Sequence, residues 1–168
     1  MKHLGMDFDL GAESGEDAGV SVEALQAQLS AVRERLKESG VAIDSPQWCE
    51  LALQEGRLLV NLGEGAQAWR SAQRCFEQFC AVGVWAQAAE AARLMFQSGE
   101  PDALVALGHA VWLAVTFPVD PELSVALLQD IVEETPDDSD GAAVAAATAA
   151  YLVDLRTQGS QRESLSFF

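Results

Sequence analysis

Apolar residues recur at helical spacing from residue 22 onward. Ser21 is a suitable N-cap, and Ser39-Gly40 is a suitable stop. Between them the apolar positions follow one another at intervals of three and four residues: Val22, Leu25, Leu29, Val32 and Leu36. Two heptads are too few to indicate a coiled coil, so we expect this amphipathic helix to pack against the rest of the protein.

Helix start and stop signals divide the centre of the chain at regular intervals. Ser45-Pro46 and Asp120-Pro121 each place a capping residue before a proline, whereas Gly63, Gly83 and Gly99 follow the ends of apolar periodic segments. These signals predict six further helices, over about 46–62, 66–82, 84–97, 101–117, 121–135 and 139–157.

The predicted helix starts at 46, 84 and 121 are about 37 residues apart, and Trp48, Trp85 and Leu123 occupy nearly equivalent positions after them. A period of this size is typical of stacked helical-pair repeats. Gly56 and Ala68 fall at offsets found in tetratricopeptide repeats, although detailed agreement with that pattern is poor. The predicted fold is all-α, with tandem helix hairpins in a tetratricopeptide-like right-handed stack after the amphipathic helix.

The two ends of the chain differ in composition from its centre. Residues 1–20 hold five acids and four glycines. They contain too few apolar groups to offset the conformational entropy that ordering would cost. The prediction is a flexible acidic arm over 1–20, one all-helical domain over 21–157 and a flexible tail over 158–168. The apolar residues of both ends are candidate contacts with a partner, or could fold back onto the domain: Leu4, Met6, Phe8 and Leu10 in the arm, and Phe167 and Phe168 in the tail.

The chain is strongly acidic, and the acids are unevenly distributed. Lys and Arg number 10 against 26 Asp and Glu, a formal charge of −16, and no Lys or Arg occurs between Arg93 and Arg156. Such a charge disfavours binding to nucleic acid or to an anionic membrane. The acidic half either provides solubility or steers a basic partner. The candidate partner contacts are Glu133, Glu134, Asp137 and Asp138.

The sequence contains no run of about 18 apolar residues and no basic and apolar leader at its start. Three cysteines are an odd number for a disulfide framework. These features predict a cytoplasmic protein with reduced thiols.

Residues with catalytic or metal-binding chemistry are few. His3 and His109 are the two histidines, and neither belongs to a recognisable motif. Cys75 and Cys80 are five residues apart on a predicted helix, which turns them about 140° away from each other and favours core thiols over a metal site. The stretch PDDSDG at 136–141 lacks the bidentate carboxylate of a calcium loop. We therefore expect no catalytic residue, no metal, no cofactor and no enzymatic activity.

Trp48, Trp69, Trp85 and Trp112 are the largest side chains in the chain. Tryptophans at helical spacing usually belong to a core. If exposed, they would be strong anchors for another protein, because aromatic side chains dominate interface energies. Trp48, Trp85 and Trp112 are therefore candidate partner contacts.

The stretch GHAVWLAVTFPVDPELSVALLQDIVEETPDDSDGAAVAAATAAYLVDLR, residues 108–156, resembles small acidic helical proteins of nitrogen fixation, the nitrogenase-associated factor T family. The resemblance covers about residues 45–156. It implies a non-catalytic accessory protein that binds the molybdenum–iron component of nitrogenase, in an immature, damaged or cofactor-altered state, and stabilises or protects it.

The expected function is thus protein binding by such an accessory factor. The alternative is an acidic tetratricopeptide-like chaperone or scaffold that binds an extended peptide of another protein. An enzyme would instead require a deep pocket with convergent titratable groups.

Overall fold

The computed structural model describes residues 21–136, 139–157 and 165, and the regular structure in these residues is entirely helical. This confirms the predicted all-α class. The helices are α1 (Val22–Glu38), α2 (Pro46–Asn61), α3 (Gly65–Val82), α4 (Trp85–Gln97), α5 (Ala103–Thr116), α6 (Pro121–Glu133) and α7 (Asp140–Arg156).

Side-chain caps fix the start of several helices. The hydroxyl groups of Ser21, Ser45 and Ser139 each accept a hydrogen bond from the backbone N–H three residues later, at 3.1 to 3.2 Å. The Asp120 carboxylate accepts one from the N–H of Glu122 at 2.8 Å. These bonds satisfy N–H groups that have no partner inside the helix. They also account for the close agreement between predicted and observed helix starts.

Helix ends depend on glycine where the backbone must turn sharply. Gly83 follows α3 with a φ of 74°, in the left-handed region that glycine adopts without steric cost. Two boundaries differ from the prediction by two residues: α6 ends at Glu133 and not at 135, and α5 begins at Ala103 and not at Pro101. Residues 101 and 102 form a turn instead, closed by a hydrogen bond from the Ala103 N–H to the Glu100 carbonyl at 2.9 Å.

Each helix packs against the helices that precede and follow it in the chain, and α2 also packs against α4. The main core lies among α2, α3, α4 and α5 and includes the fully buried Phe79, Leu107 and Leu113. A second cluster lies between α6 and α7, where Val125 and Leu128 pack against Ala145, Ala149, Leu152 and Val153. Alanine dominates the buried positions of α4 and α7, which lets neighbouring backbones approach closely.

Two ion pairs connect alternate helices. Arg57 of α2 pairs with Glu90 of α4 at 2.7 Å, and Arg93 of α4 pairs with Asp130 of α6 through two bonds of 2.8 and 3.1 Å. The second pair is mostly shielded from water and bidentate, so it is the more stabilising of the two. Together they link α2 to α4 and α4 to α6.

Two glycines allow close packing between helices. A Cβ atom on Gly56 of α2 would lie 2.6 Å from Cδ2 of Leu94 in α4. A Cβ atom on Gly65, the first residue of α3, would overlap the backbone carbonyl oxygen of Ser98 at the end of α4. The backbone cannot move aside as a side chain can, so Gly65 is the less replaceable position.

We predict that Gly65→Ala lowers the free energy of unfolding by about 1–3 kcal/mol, because the added methyl group displaces the end of α4. Gly108→Ala is the matched control, since a Cβ atom there meets nothing within 4 Å. Alanine at this position in the interior of α5 should raise stability by about 0.5–1 kcal/mol. Urea unfolding followed by circular dichroism measures both. Equal stability of Gly65→Ala and the wild type would contradict the predicted overlap.

Candidate functional site: an apolar groove between α5 and α7

An open groove of about 410 Å³ lies between α5 and α7. We refer to it as the α5–α7 groove. Its lining comes from three helices: Val111, Trp112, Val115 and Thr116 of α5, Leu128 and Ile131 of α6, and Gly141, Val144, Ala145 and Thr148 of α7. Because α5 and α7 each pack against α6 but scarcely against each other, the space between them remains open.

The groove exists because α5 and α7 are apolar on nearly all sides. His109 and Thr116 are the only polar side chains in α5 (ALVALGHAVWLAVT). The helix buries one face, yet Leu104, Val105 and Trp112 remain exposed on the other. Likewise, α7 buries one row of residues and exposes Val144, Tyr151 and Leu155. A helix that is apolar all round is ordinarily buried on all sides, so these exposed faces are typical of a binding surface.

Trp112 is the most prominent side chain of the groove. All four tryptophans lie in the described ranges, and Trp112 alone is exposed, at 58%. Its ring meets the edge of Phe117 with centroids 5.8 Å apart, and Phe117 in turn stacks on Trp85 at 4.2 Å. These contacts hold the Trp112 ring in a defined position at the groove. An ordered, exposed indole of this kind loses little entropy on binding.

The other predicted tryptophan anchors are half-buried. Trp48 lies beneath the Arg74 guanidinium, which is 5.3 Å from the ring centroid, and Trp85 is covered by Phe117. Trp69, also half-buried, donates a hydrogen bond from Nε1 to Gln73 at 3.2 Å. The structure therefore brings only Trp112 of these four side chains into the groove.

The groove offers few hydrogen-bonding groups. The Thr148 hydroxyl already donates to the Val144 carbonyl at 2.7 Å. At the end of α5, the Arg156 guanidinium donates to the carbonyl oxygens of Ala114 at 2.7 Å and Val115 at 3.0 Å. Arg156 thus satisfies carbonyl groups that the end of a helix leaves unpaired, and it fastens the end of α7 to the end of α5.

The surroundings of the groove are acidic. Arg93 and Arg156 are the cations at the two ends of the acidic half of the sequence, and both make contacts within the protein. Arg93 pairs with Asp130, and Arg156 donates to backbone carbonyl groups. Glu134 is exposed at the end of α6, close in the chain to the groove residue Ile131, whereas the exposed Glu133 lines a separate cavity between α6 and α7. Asp140, the first residue of α7, directly precedes the groove residue Gly141. The connection between α6 and α7 therefore places negative charge close in the chain to groove residues.

Several predicted partner contacts lie outside the described residues: Leu4, Met6, Phe8, Leu10, Asp137, Asp138, Phe167 and Phe168. They remain predictions, as do the arm and the tail. Leu165 is described and packs against the cluster between α6 and α7. The aliphatic groove residues, such as Val115 and Val144, were not among the predicted contacts. One feature of the sequence does point to them: the segments that form α5 and α7 have no continuous polar face.

The cysteines lie away from the groove. Cys49 and Cys75 are fully buried, and the Cys75 thiol is 3.6 Å from the Cys49 carbonyl oxygen. Burial raises the pKa of both thiols and also that of the half-buried Cys80. Thiols of this kind are poor nucleophiles at neutral pH. Within the described residues, no three potential ligands are grouped to hold a metal ion.

No helix in the described part of the chain has both the length and the apolar character required to cross a membrane. The chain has no match among protein-family models, curated proteins or solved structures. Fold and site together define the class as an all-α protein with an open apolar groove.

Burial of the Cys75 thiol predicts a loss of stability in alkaline solution. In the unfolded chain this thiol loses its proton near its ordinary pKa of 9.0, whereas in the folded protein its pKa is raised. Above pH 9 the folded state therefore binds more protons, and the free energy of unfolding decreases as pH rises, by at most about 1.4 kcal/mol per pH unit for one thiol. Below pH 9 the effect is absent.

Cys75→Ala should make this decrease between pH 8 and pH 10 shallower, as measured by urea unfolding at each pH. Cys80→Ala is the control and should change the slope less, because Cys80 is only half-buried. Identical slopes for Cys75→Ala and the wild type would contradict the role of the buried thiol.

Proposed function

We propose that this protein is a non-catalytic accessory factor that binds another protein through the α5–α7 groove. The observation that carries the proposal is the exposed Trp112 beside an apolar groove that no described segment of the chain covers. Burying such a surface in a complex removes apolar area from water, and a central tryptophan is a frequent energetic anchor.

The proposed architecture is a stack of three hairpins, α2–α3, α4–α5 and α6–α7, of tetratricopeptide-like form. Support comes from the starts of α2, α4 and α6 at residues 46, 85 and 121. The Arg57–Glu90 and Arg93–Asp130 ion pairs join these same three helices in order. In this arrangement the groove is the space between the second helices of two successive hairpins.

The proposed partner is the molybdenum–iron component of nitrogenase, and the proposed place of action is the cytoplasm. Support for the partner comes from the resemblance of residues 45–156 to accessory proteins of nitrogen fixation. Stabilising one state of that component requires a contact surface and an affinity that differs between states of the partner, but no cofactor of its own. The second candidate, an acidic chaperone for extended peptides, would use the same groove.

Binding of the purified molybdenum–iron component to the immobilised protein, measured by biolayer interferometry, tests the proposal. We predict that Trp112→Ala weakens binding at least tenfold, because the ring is the largest exposed apolar group of the groove. Val144→Gln should also weaken binding and should retain the fold, because Val144 is 65% exposed and glutamine is a good helix former.

The matched control is a valine outside both α5 and α7. Val105 shares the exposed face of α5 with Trp112, so the neutral comparison is Val82→Gln instead. Val82 is the last residue of α3, is 54% exposed and does not line the groove, so its replacement should leave the affinity unchanged. Unchanged affinity of Trp112→Ala would refute the groove as the binding site. Absence of binding by the wild type, in every state of the component tested, would refute this partner.

A further inference from the structure

We infer that the segment received by the α5–α7 groove is an amphipathic α-helix with Lys or Arg beside its apolar stripe. This inference rests on the proposed function, and it specifies the form and the charge of the partner segment. Three properties of the groove support it: its lack of hydrogen-bonding groups, the arrangement of its side chains and the charge around it.

The first property is the scarcity of hydrogen-bonding groups. An extended peptide needs partners for its backbone N–H and C=O groups, which proteins usually supply from the edge of a sheet. The described residues contain no strand, and most backbone groups of the helices that line the groove are paired within those helices. The exceptions in the lining are few: Gly141 lies in the first turn of α7, where N–H groups have no partner within the helix, and Thr116 contributes a hydroxyl group.

An extended segment would therefore bury backbone groups against apolar side chains without replacing their bonds to water. Each group left unpaired in this way costs about 1–3 kcal/mol. A helix satisfies nearly all of its backbone groups internally, so it can bury apolar side chains without this cost. The groove favours a helix because it gives the backbone of the partner few groups to bond with.

The second property is the arrangement of the lining side chains. On α5 they form rows of residues four apart, Val111 with Val115 and Trp112 with Thr116. On α7, Val144 and Thr148 form a row with the same spacing. Rows of this kind are the ridges between which the side chains of another helix interdigitate. A helix placed in the groove could pack against both walls, and its apolar positions would recur at intervals of three and four residues.

The third property is charge. Residues 94–155 contain eleven acids and no Lys or Arg, and the α6–α7 connection places Glu134 and Asp140 close in the chain to the groove residues Ile131 and Gly141. A helix with acidic flanks would be repelled, whereas basic flanks would be attracted and would set the direction in which the helix enters. The apolar lining provides affinity, and the acidic surround provides selection by charge.

Two synthetic 18-residue peptides of identical Leu, Lys and Ala composition test the inference. One places leucine at helical spacing, and the other alternates leucine with lysine as a strand would. We expect the helical isomer to bind the full-length protein at least tenfold more tightly in fluorescence anisotropy at 150 mM salt. The ¹³C shifts of a labelled copy should show that it is helical when bound.

The preference for the helical isomer should disappear in the Val115→Gln/Val144→Gln variant and persist in Val82→Gln, which alters an exposed valine outside the groove. Equal or tighter binding of the alternating isomer would overturn the inference in favour of an extended segment. A third outcome is that both isomers bind equally, that added salt abolishes this binding and that the groove variant does not change it. This result would overturn the inference in favour of charge attraction alone.

These outcomes are distinct from a failure of the proposed function. If Trp112→Ala abolishes capture of the protein partner while the peptides show no helical preference, the groove still binds protein, and only the inferred helix is wrong. If Trp112→Ala leaves capture of the partner intact, the proposed binding site itself fails, whatever the peptides show.

Discussion

The structure depends on each helix burying an apolar face against its neighbours along the chain. Because the helices pack mainly in chain order, each one keeps a face that no other helix covers. On α2 and α3 this face carries polar side chains, such as Gln54 and Arg57 on α2 and Arg70 and Glu77 on α3. On α5 and α7 it carries aliphatic and aromatic side chains instead, and this difference produces the groove.

Charge reinforces this division between the two halves of the domain. In the first half, cations occur on α1, α2 and α3, and several of them form ion pairs, as Arg33 of α1 does with Glu55 of α2 and Arg74 of α3 does with Asp44. In the second half, Arg93 and Arg156 stabilise the packing of α6 and α7 from inside. The acids around the groove thus have few cations nearby, and the surface combines an apolar centre with a negative surround. Such a combination couples affinity to selection of the partner's charge.

The position of the groove also explains how it can be both exposed and well defined. Leu128 and Ala145 are buried in the cluster between α6 and α7, and they line the groove with their remaining surface. The Phe117 ring supports Trp112 from the side of the main core. The proposed binding surface is therefore continuous with packed residues of both clusters, and its lining comes from helices.

The helices could be predicted from the sequence because their signals are local. Ser21, Ser45 and Ser139 cap the helices that follow them, and glycines end α2, α3 and α4, so hydrogen bonds within a few residues decide these boundaries. The start of α5 was less predictable because Pro101 is compatible with both a turn and the first turn of a helix.

The amino-acid sequence by itself determined the helical class, most helix boundaries and the negative charge of the second half, since each follows from neighbouring residues or from composition. It also indicated that tryptophans could serve as anchors, but it could not distinguish the half-buried Trp48 from the exposed Trp112. Only the tertiary structure decided this, because a helix that is apolar on all sides carries no pattern to indicate which face its neighbours cover. The open groove between α5 and α7 is a property of how three helices are placed in space.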